Sequence, residues 1–210
     1  MVKNFRISKK YQSLAFNERP KDAKIEFIIL HSTERDFFTS LNLLCKDVSA
    51  HYLISQEEIA GEMIFNLVDD EKRAWHAGVS AWKNHQNLNH NSIGIEIENL
   101  DGNQLEYPPQ QIAAVTYLCK YLMKKYTIPP ENILAHGDIA FERKTDPGKK
   151  FPWQELAKNG IGINKNHPLI KKISDEKNPQ KLQQYLQDFG YNINSSLQLE
   201  SALKAFHSRF

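Results

Sequence analysis

The stretch Ile25-Glu26-Phe27-Ile28-Ile29-Leu30-His31 decides how the rest of the chain is read. Its apolar run is rich in β-branched and aromatic side chains and too short for a typical helix, so it reads as a buried strand. The strand delivers His31 at its C-terminal end. A second delivery of the same kind follows further on, where the short strand Ile133-Leu134-Ala135 ends at His136. Rigid backbone at a strand end can aim an imidazole, so both histidines are candidate site residues.

Outward from these strands, Thr39 to Lys46 reads as a short helix and Ala50 to Ser55 as a strand carrying His51 and Tyr52. Glu62 to Val68 is a third strand, with Met63, Phe65 and Leu67 alternating against Ile64, Asn66 and Val68. In Ser92 to Glu98, Ile93, Ile95 and Ile97 share one face, which leaves Gly94, Glu96 and Glu98 on the other. Alternation does not choose between the two acids. Pro108-Pro109 opens the longest helical pattern, with Ile112, Val115, Leu118, Cys119 and Leu122 at helical spacing. Trp75 to Asn91, rich in His, Asn, Trp and Gly without a period, reads as a long loop of the kind that usually serves function.

Composition sets the class. Of 210 residues, 40% are hydrophobic and 25% charged, the balance of a soluble folded chain. The length fits one sizeable domain, or a domain of about 150 residues with a small appendage. Net charge is +2, and the lysines are scattered or paired, as in Lys9-Lys10 and Lys124-Lys125. Without a concentrated basic stripe, no nucleic-acid partner is expected. No run approaches the eighteen or so apolar residues of a membrane span, and no apolar segment near the N-terminus directs export. Cys45 and Cys119 are not the close pair a metal site wants and read as buried free thiols, with a disulfide left open.

A catalytic zinc takes three protein ligands, often His with a carboxylate, and keeps a fourth position open. Asp146 sits in the turn Thr145-Asp146-Pro147-Gly148, ten residues after His136, from where a loop can return its carboxylate to the histidines. Lys144 lies on the same side if that segment is extended. Each feature alone is weak, because Asp-Pro-Gly is usually just a turn.

Six pieces in order change that: Ile29-Leu30-His31-Ser32-Thr33, Ser49-Ala50-His51-Tyr52, Ala74-Trp75-His76-Ala77-Gly78, Ser92-Ile93-Gly94-Ile95-Glu96-Ile97, Ala135-His136-Gly137-Asp138-Ile139-Ala140 and Arg143-Lys144-Thr145-Asp146-Pro147-Gly148. In order and spacing the chain resembles the type 2 N-acetylmuramoyl-L-alanine amidases over roughly residues 25–157. The resemblance implies an α/β fold, with a central mixed β-sheet flanked by helices and a zinc site at one end of the sheet. It implies one zinc ion per chain held by His31, His136 and Asp146, with Glu96 as catalytic carboxylate and Lys144 as cationic stabiliser. The match to Ile-Gly-Ile-Glu selects Glu96 over Glu98. The implied reaction is hydrolysis of the amide between N-acetylmuramic acid, or its 1,6-anhydro form, and L-alanine. The family's commoner Gly-His-Ser-Asp appears here as Ala135-His136-Gly137-Asp138, so a hydroxyl beside one ligand is missing.

Trp75, His76, Gly78 and Trp82 are candidates for a substrate groove, or else belong to a loop pinned by buried tryptophans. His51 is either a core histidine or part of the site wall. Beyond Trp153 the composition shifts: residues 158–178, rich in Lys, Asn and Gly, read as a linker, and Pro179 to Phe189 and Leu197 to Phe210 as two short helices that must dock on something. The expected layout is a catalytic domain over 1–157, a linker over 158–178 and, over 179–210, a piece that resembles the opening of a small helical peptidoglycan-binding module. Such a tail favours action in the cell envelope. The expected partner is peptidoglycan or a muropeptide, met by a monomer. The rival expectations are a module that binds muropeptides without cutting them and a zinc peptidase acting within the stem peptide.

Overall fold

The computed structural model describes residues 4–210. Two short strands, β1 (Ile7–Ser8) and β2 (Phe16–Glu18), lead into β3 (Phe27–Ser32), whose six residues are all buried. Helix α1 (Phe37–Lys46) is opened by Asp36, whose carboxylate accepts the Thr39 N–H at 3.1 Å and so satisfies one free amide of the first turn. Strands β4 (Tyr52–Ile59) and β5 (Glu62–Asn66) form a hairpin, followed by β6 (Lys72–Ala74), the small pair β7 (Ala81–Trp82) and β8 (His85–Gln86), and β9 (Ser92–Ile97). Helix α2 (Pro109–Tyr126) then crosses back, and β10 (Ile133–Ala135) runs directly into the one-turn α3 (His136–Ile139). The chain closes with α4 (Trp153–Lys158), α5 (Pro168–Asp175), α6 (Pro179–Phe189) and α7 (Ser196–Arg209).

Six strands form the central sheet in the order β1-β5-β4-β9-β3-β10; β4 and β5 pair antiparallel and the other neighbours pair parallel. Parallel strands covered on both faces read as continuous apolar runs, which is why the β3 sequence does not alternate. On one face, Ile112, Val115, Leu118, Cys119 and Leu122 of α2 pack with Ile28, Leu30, Ile93, Ile95 and Ile133. On the other, Phe27, Ile29 and Leu134 pack with Ile170, Leu186, Phe189 and Phe206 from the C-terminal helices. The expected mixed sheet flanked by helices is therefore present.

Two expectations are corrected. Residues 158–178 are not a plain linker: they contain α5, whose Ile170 and Ile173 are buried against the sheet-side cluster. Two turns carry too few apolar positions to show a period in sequence. The stretch from Trp75 to Asn91 is likewise not structureless, since it holds the β7–β8 pair and a single turn of tight helix at Leu88–His90. Both cysteines are free, Cys119 buried in α2 and Cys45 half-buried. Among the described residues, no helix is long and apolar enough to cross a membrane.

Candidate metal centre and cleft

Three neighbouring parallel strands end side by side. In the β3–β9 register His31 faces Glu96, and in the β10–β3 register Ala135 faces Leu30, so His136, one residue on, falls beside His31. In open α/β sheets the crevice at the carboxyl ends of the strands is where ligands bind. The segment after α3 brings in Asp146, and the Gly137 N–H ties it down by donating to the Asp146 carbonyl at 2.9 Å. A Cβ at Gly137 would lie 3.3 Å from the Lys144 carbonyl oxygen, so the returning segment passes close over a residue without a side chain.

Three atoms converge. His31 Nδ1 and His136 Nδ1 are 2.9 Å apart, and Asp146 Oδ2 lies 3.2 Å from the first and 3.1 Å from the second. All three residues are buried. The protons on the two rings can be traced from their other partners. The Ser92 hydroxyl donates to the Leu88 carbonyl, so its oxygen accepts from His76 Nε2 at 3.2 Å. His76 Nδ1 is then an acceptor and takes the His31 Nε2–H at 3.0 Å. His136 Nε2 donates to the Ala77 carbonyl at 3.2 Å. Both Nδ1 atoms therefore present lone pairs to each other and to a carboxylate oxygen.

Three lone-pair carriers about 3 Å apart repel unless a cation joins them, and that spacing approaches the edge of about 3.3 Å expected between tetrahedral zinc ligands. Electrostatics agree: burial, then the neighbouring His136, pushes the His31 pKa down to about 4, keeping the ring neutral. Burial alone would raise the Asp146 carboxyl, and N–H-donating or charged forms of His136 and His31 hold it well below the usual range, a place that a cation takes when both rings are neutral. Neutral imidazole and ionised carboxylate are the ligating forms. The donor set fits a metal.

The trio borders a cleft of about 200 Å³ whose lining includes Glu96, Lys144, Trp75 and His76. Glu96 Oε1 is 4.0 Å from His31 Nδ1, and Oε2 has no hydrogen-bond partner among the described residues. Burial, reinforced by the Asp146 charge and opposed by Lys144, pushes its pKa up to about 8. Glu98, which alternation could not separate from Glu96, is occupied elsewhere: it accepts the Phe37 N–H at 2.9 Å and the Gln56 N–H at 2.7 Å.

Of the groove candidates, Trp75 is 39% exposed on the cleft wall and anchored by its Nε1–H to Asn17. His76 lies deeper, against His31, and Gly94 makes room for it, since a Cβ there would come within 2.3 Å of the His76 ring. Gly78 sits outside the cleft lining, with its backbone beneath Arg143. His51 is fully buried and outside the cleft lining, with its ring against His76. Sequence reasoning missed Ser92 and the Ala77 carbonyl, which set the two ring tautomers, and Arg143, which donates to the carbonyls of Ala77 and Val79. Contacts to backbone carbonyls leave no residue-type signal, so although Ser92, Ala77 and Arg143 all lie within the quoted pieces, nothing in those pieces marked their roles.

A buried two-histidine, one-carboxylate trio at the open end of a mixed sheet is the plan of a metal-dependent hydrolase. Comparison with known proteins makes the class specific: the family model for N-acetylmuramoyl-L-alanine amidase matches residues 21–149, and the chain belongs to that family. It is 43% identical over 150 residues to N-acetylmuramoyl-L-alanine amidase AmiD of Escherichia coli (strain K12), covering 66% of this chain and 54% of that protein. It is 45% identical over 109 residues to 1,6-anhydro-N-acetylmuramyl-L-alanine amidase AmpD of Citrobacter freundii, covering 50% and 54%. These matches span about half the length of the curated relatives. In structure it resembles AmiD from E. coli in complex with the substrate anhydro-N-acetylmuramic acid-L-Ala-D-gamma-Glu-L-Lys, with a TM-score of 0.79, 33% identity, and coverage of 93% of this chain and 89% of that one.

Proposed function

We propose that this protein hydrolyses the amide joining the lactyl group of N-acetylmuramic acid, or of its 1,6-anhydro form, to L-alanine of the stem peptide, with one zinc ion held by His31, His136 and Asp146. The observation that carries the proposal is the convergence of three buried lone-pair donors beside an unpaired carboxylate at the strand ends. The likeness to AmiD in complex with a muropeptide supports this choice of amide. Bound there, zinc supplies Lewis acidity toward an amide carbonyl and lowers the pKa of a water. Glu96 takes a proton from the attacking water and passes it to the leaving nitrogen, so the C–N bond breaks to a lactyl carboxylate and a free L-alanine amine. An accepting carboxylate must be unencumbered and ionised: Glu96 Oε2 has no partner among the described residues, and the charge of a cation held by His31, His136 and Asp146 would offset the burial that raises its pKa. Lys144, on the cleft lining and without a carboxylate partner among the described residues, stabilises the charge on the tetrahedral oxygen, a role worth about 3 kcal/mol. Trp75 offers the sugar or peptide an aromatic wall, while His76 serves His31 from behind.

Residues 4–157, with α5 docked on them, form the catalytic body in this proposal. The helices over 179–210 are a partial peptidoglycan-binding-like piece, and the place of action is the cell envelope, which rests on that tail. The test is mass spectrometry of a defined disaccharide-tetrapeptide incubated with the zinc-loaded protein, with Glu96→Ala as control. Intact disaccharide and free tetrapeptide from the wild type alone support the proposal. Substrate that binds and survives points to a recognition module, and a peptide cut internally points to a peptidase.

A further inference from the structure

Two residues after His136 comes a carboxylate that is not on the cleft lining. Asp138 is completely buried, and its two oxygens are saturated from behind: Oδ1 accepts the Tyr191 hydroxyl at 2.7 Å, and Oδ2 accepts the Ala135 N–H at 2.8 Å together with Arg209. Arg209, 4% exposed on the last turn of α7, also donates to the Ile133 carbonyl at 2.7 Å and lies 4.4 Å over the Trp153 ring. One guanidinium thus grips the chain on both sides of His136, at the strand before it and at the turn after it. Tyr191, between α6 and α7, is fully buried with its ring against Trp82 and Phe141. The hydrogen bonds to Asp138 are charge-assisted and shielded from water, which makes them short and stiff. Side chains that hold a metal ligand from behind fix its orientation and the strength with which it binds.

We propose that the C-terminal helix is a working part of the metal centre: through Asp138, Arg209 and Tyr191 are positioning residues that hold His136 with its Nδ1 aimed at the ligand cluster. This rests on the assignment of His136 as a ligand. It also gives the docking of the C-terminal piece a role apart from any binding of wall polymer, since α7 is anchored on the ligand's own turn.

The experiment measures zinc affinity of the full chain by competition with a chromophoric chelator, alongside the melting temperature of the metal-free protein. Arg209→Met, which leaves Asp138 without its cation, is expected to weaken zinc binding about 10- to 100-fold. Arg209→Lys is expected to recover part of that loss, because it restores the charge but not the second contact at Ile133. Tyr191→Phe, which removes one oxygen, is expected to weaken zinc binding several-fold, and in all three variants kcat at saturating zinc falls while KM stays. The control is Phe206→Leu, on the same helix but not among the residues that hydrogen-bond Asp138; it lowers the melting temperature and leaves zinc affinity within about twofold of wild type. If Phe206→Leu weakens zinc as much as Arg209→Met for the same loss in melting temperature, helix docking is merely structural and the proposal is overturned. It is equally overturned if Tyr191→Phe and Arg209→Lys bind zinc like the wild type, and these two variants decide if Arg209→Met does not fold. A wild type that binds no zinc defeats the ligand assignment itself, which shows before any variant is compared.

Discussion

Two buried clusters here use the same residue types to opposite ends. At the strand ends, His31, His136 and Asp146 point unshared lone pairs at one another, with Glu96 unpaired beside them. Elsewhere in the molecule, His51, Arg19 and Asp70 form a second histidine, cation and carboxylate group whose hydrogen bonds are met within the fold, Arg19 donating to the backbone carbonyls of Asp70, Asn89, His90 and Ser92. His51 Nδ1 accepts the Gly94 N–H at 3.0 Å and its Nε2 donates to the Lys72 carbonyl at 3.0 Å. Asp70 takes the Tyr52 hydroxyl at 2.7 Å on one oxygen, and Lys125 and Tyr126, both at 2.8 Å, on the other. Burial and the Arg19 charge push the His51 pKa down to about 3, so that ring stays neutral and inert. Residue type therefore does not separate a reactive cluster from a structural one. What separates them is whether the hydrogen-bonding capacity is used up inside the protein or left for a ligand.

The largest effect should come from the least satisfied group. Glu96→Gln keeps the size and removes the base, and a loss of about 10³- to 10⁴-fold in kcat is expected with zinc affinity unchanged, read by steady-state kinetics and chelator competition. If zinc binding falls as well, Glu96 belongs to the ligand set and the division drawn above is wrong. Lys144→Met comes next. It should lower kcat about 10²- to 10³-fold while leaving zinc binding and melting temperature unchanged, since the residue is exposed and makes no ion pair among the described residues. Unchanged kcat would remove Lys144 from the mechanism.

How much of this was legible in the sequence follows from the kind of signal each feature leaves. Strand β3, helix α2 and the strand ends at His31 and His136 announce themselves by apolar runs and spacing, because burial on one or both faces dictates residue type. The joining of His31, His136 and Asp146 rested on order and spacing shared with a family, since no local rule brings Asp146 back over Gly137. Glu96 against Glu98 was beyond alternation; the answer lies in the Phe37 and Gln56 amides that occupy Glu98, which are distant in sequence. The fate of His51 was equally hidden, because its partners are backbone groups of Gly94 and Lys72. Helix α5 went unseen because two turns are too short to establish a period.

His76 sits between the two clusters, packed against His31 on one side and His51 on the other, and it sharpens the contrast. His76→Phe keeps the ring and removes the acceptor for the His31 Nε2–H, so zinc affinity should fall about 10- to 100-fold by chelator competition. His51→Phe should instead leave zinc affinity intact and cost about 2 kcal/mol of stability by denaturant unfolding, because it strands the Gly94 N–H. If the two variants show the same pattern, the clusters are not functionally distinct.

The smallest effect belongs to Asp70, deep in the saturated cluster. Burial pushes its pKa up, but hydrogen bonds from Lys125, Tyr52 and Tyr126 more than offset this, and the net direction is down. A carboxyl held lower in the folded state than in the unfolded chain binds fewer protons when folded, so stability rises with pH through that interval. Its contribution is therefore fully present above about pH 4 and lost as the pH falls through the lowered folded value. Asp70→Asn keeps the shape and removes the charge, and because Lys125 is largely solvated the cost at pH 7 should be only about 1 kcal/mol. In a chain of this size that is a drop of about 2–4 °C in melting temperature. The difference between variant and wild type should shrink as melting curves are taken from pH 5 down to pH 3. A gap that stays constant over that range would mean that Asp70 acts by packing rather than by its charge, and the saturated cluster would then owe its stability to shape instead of to its paired charges.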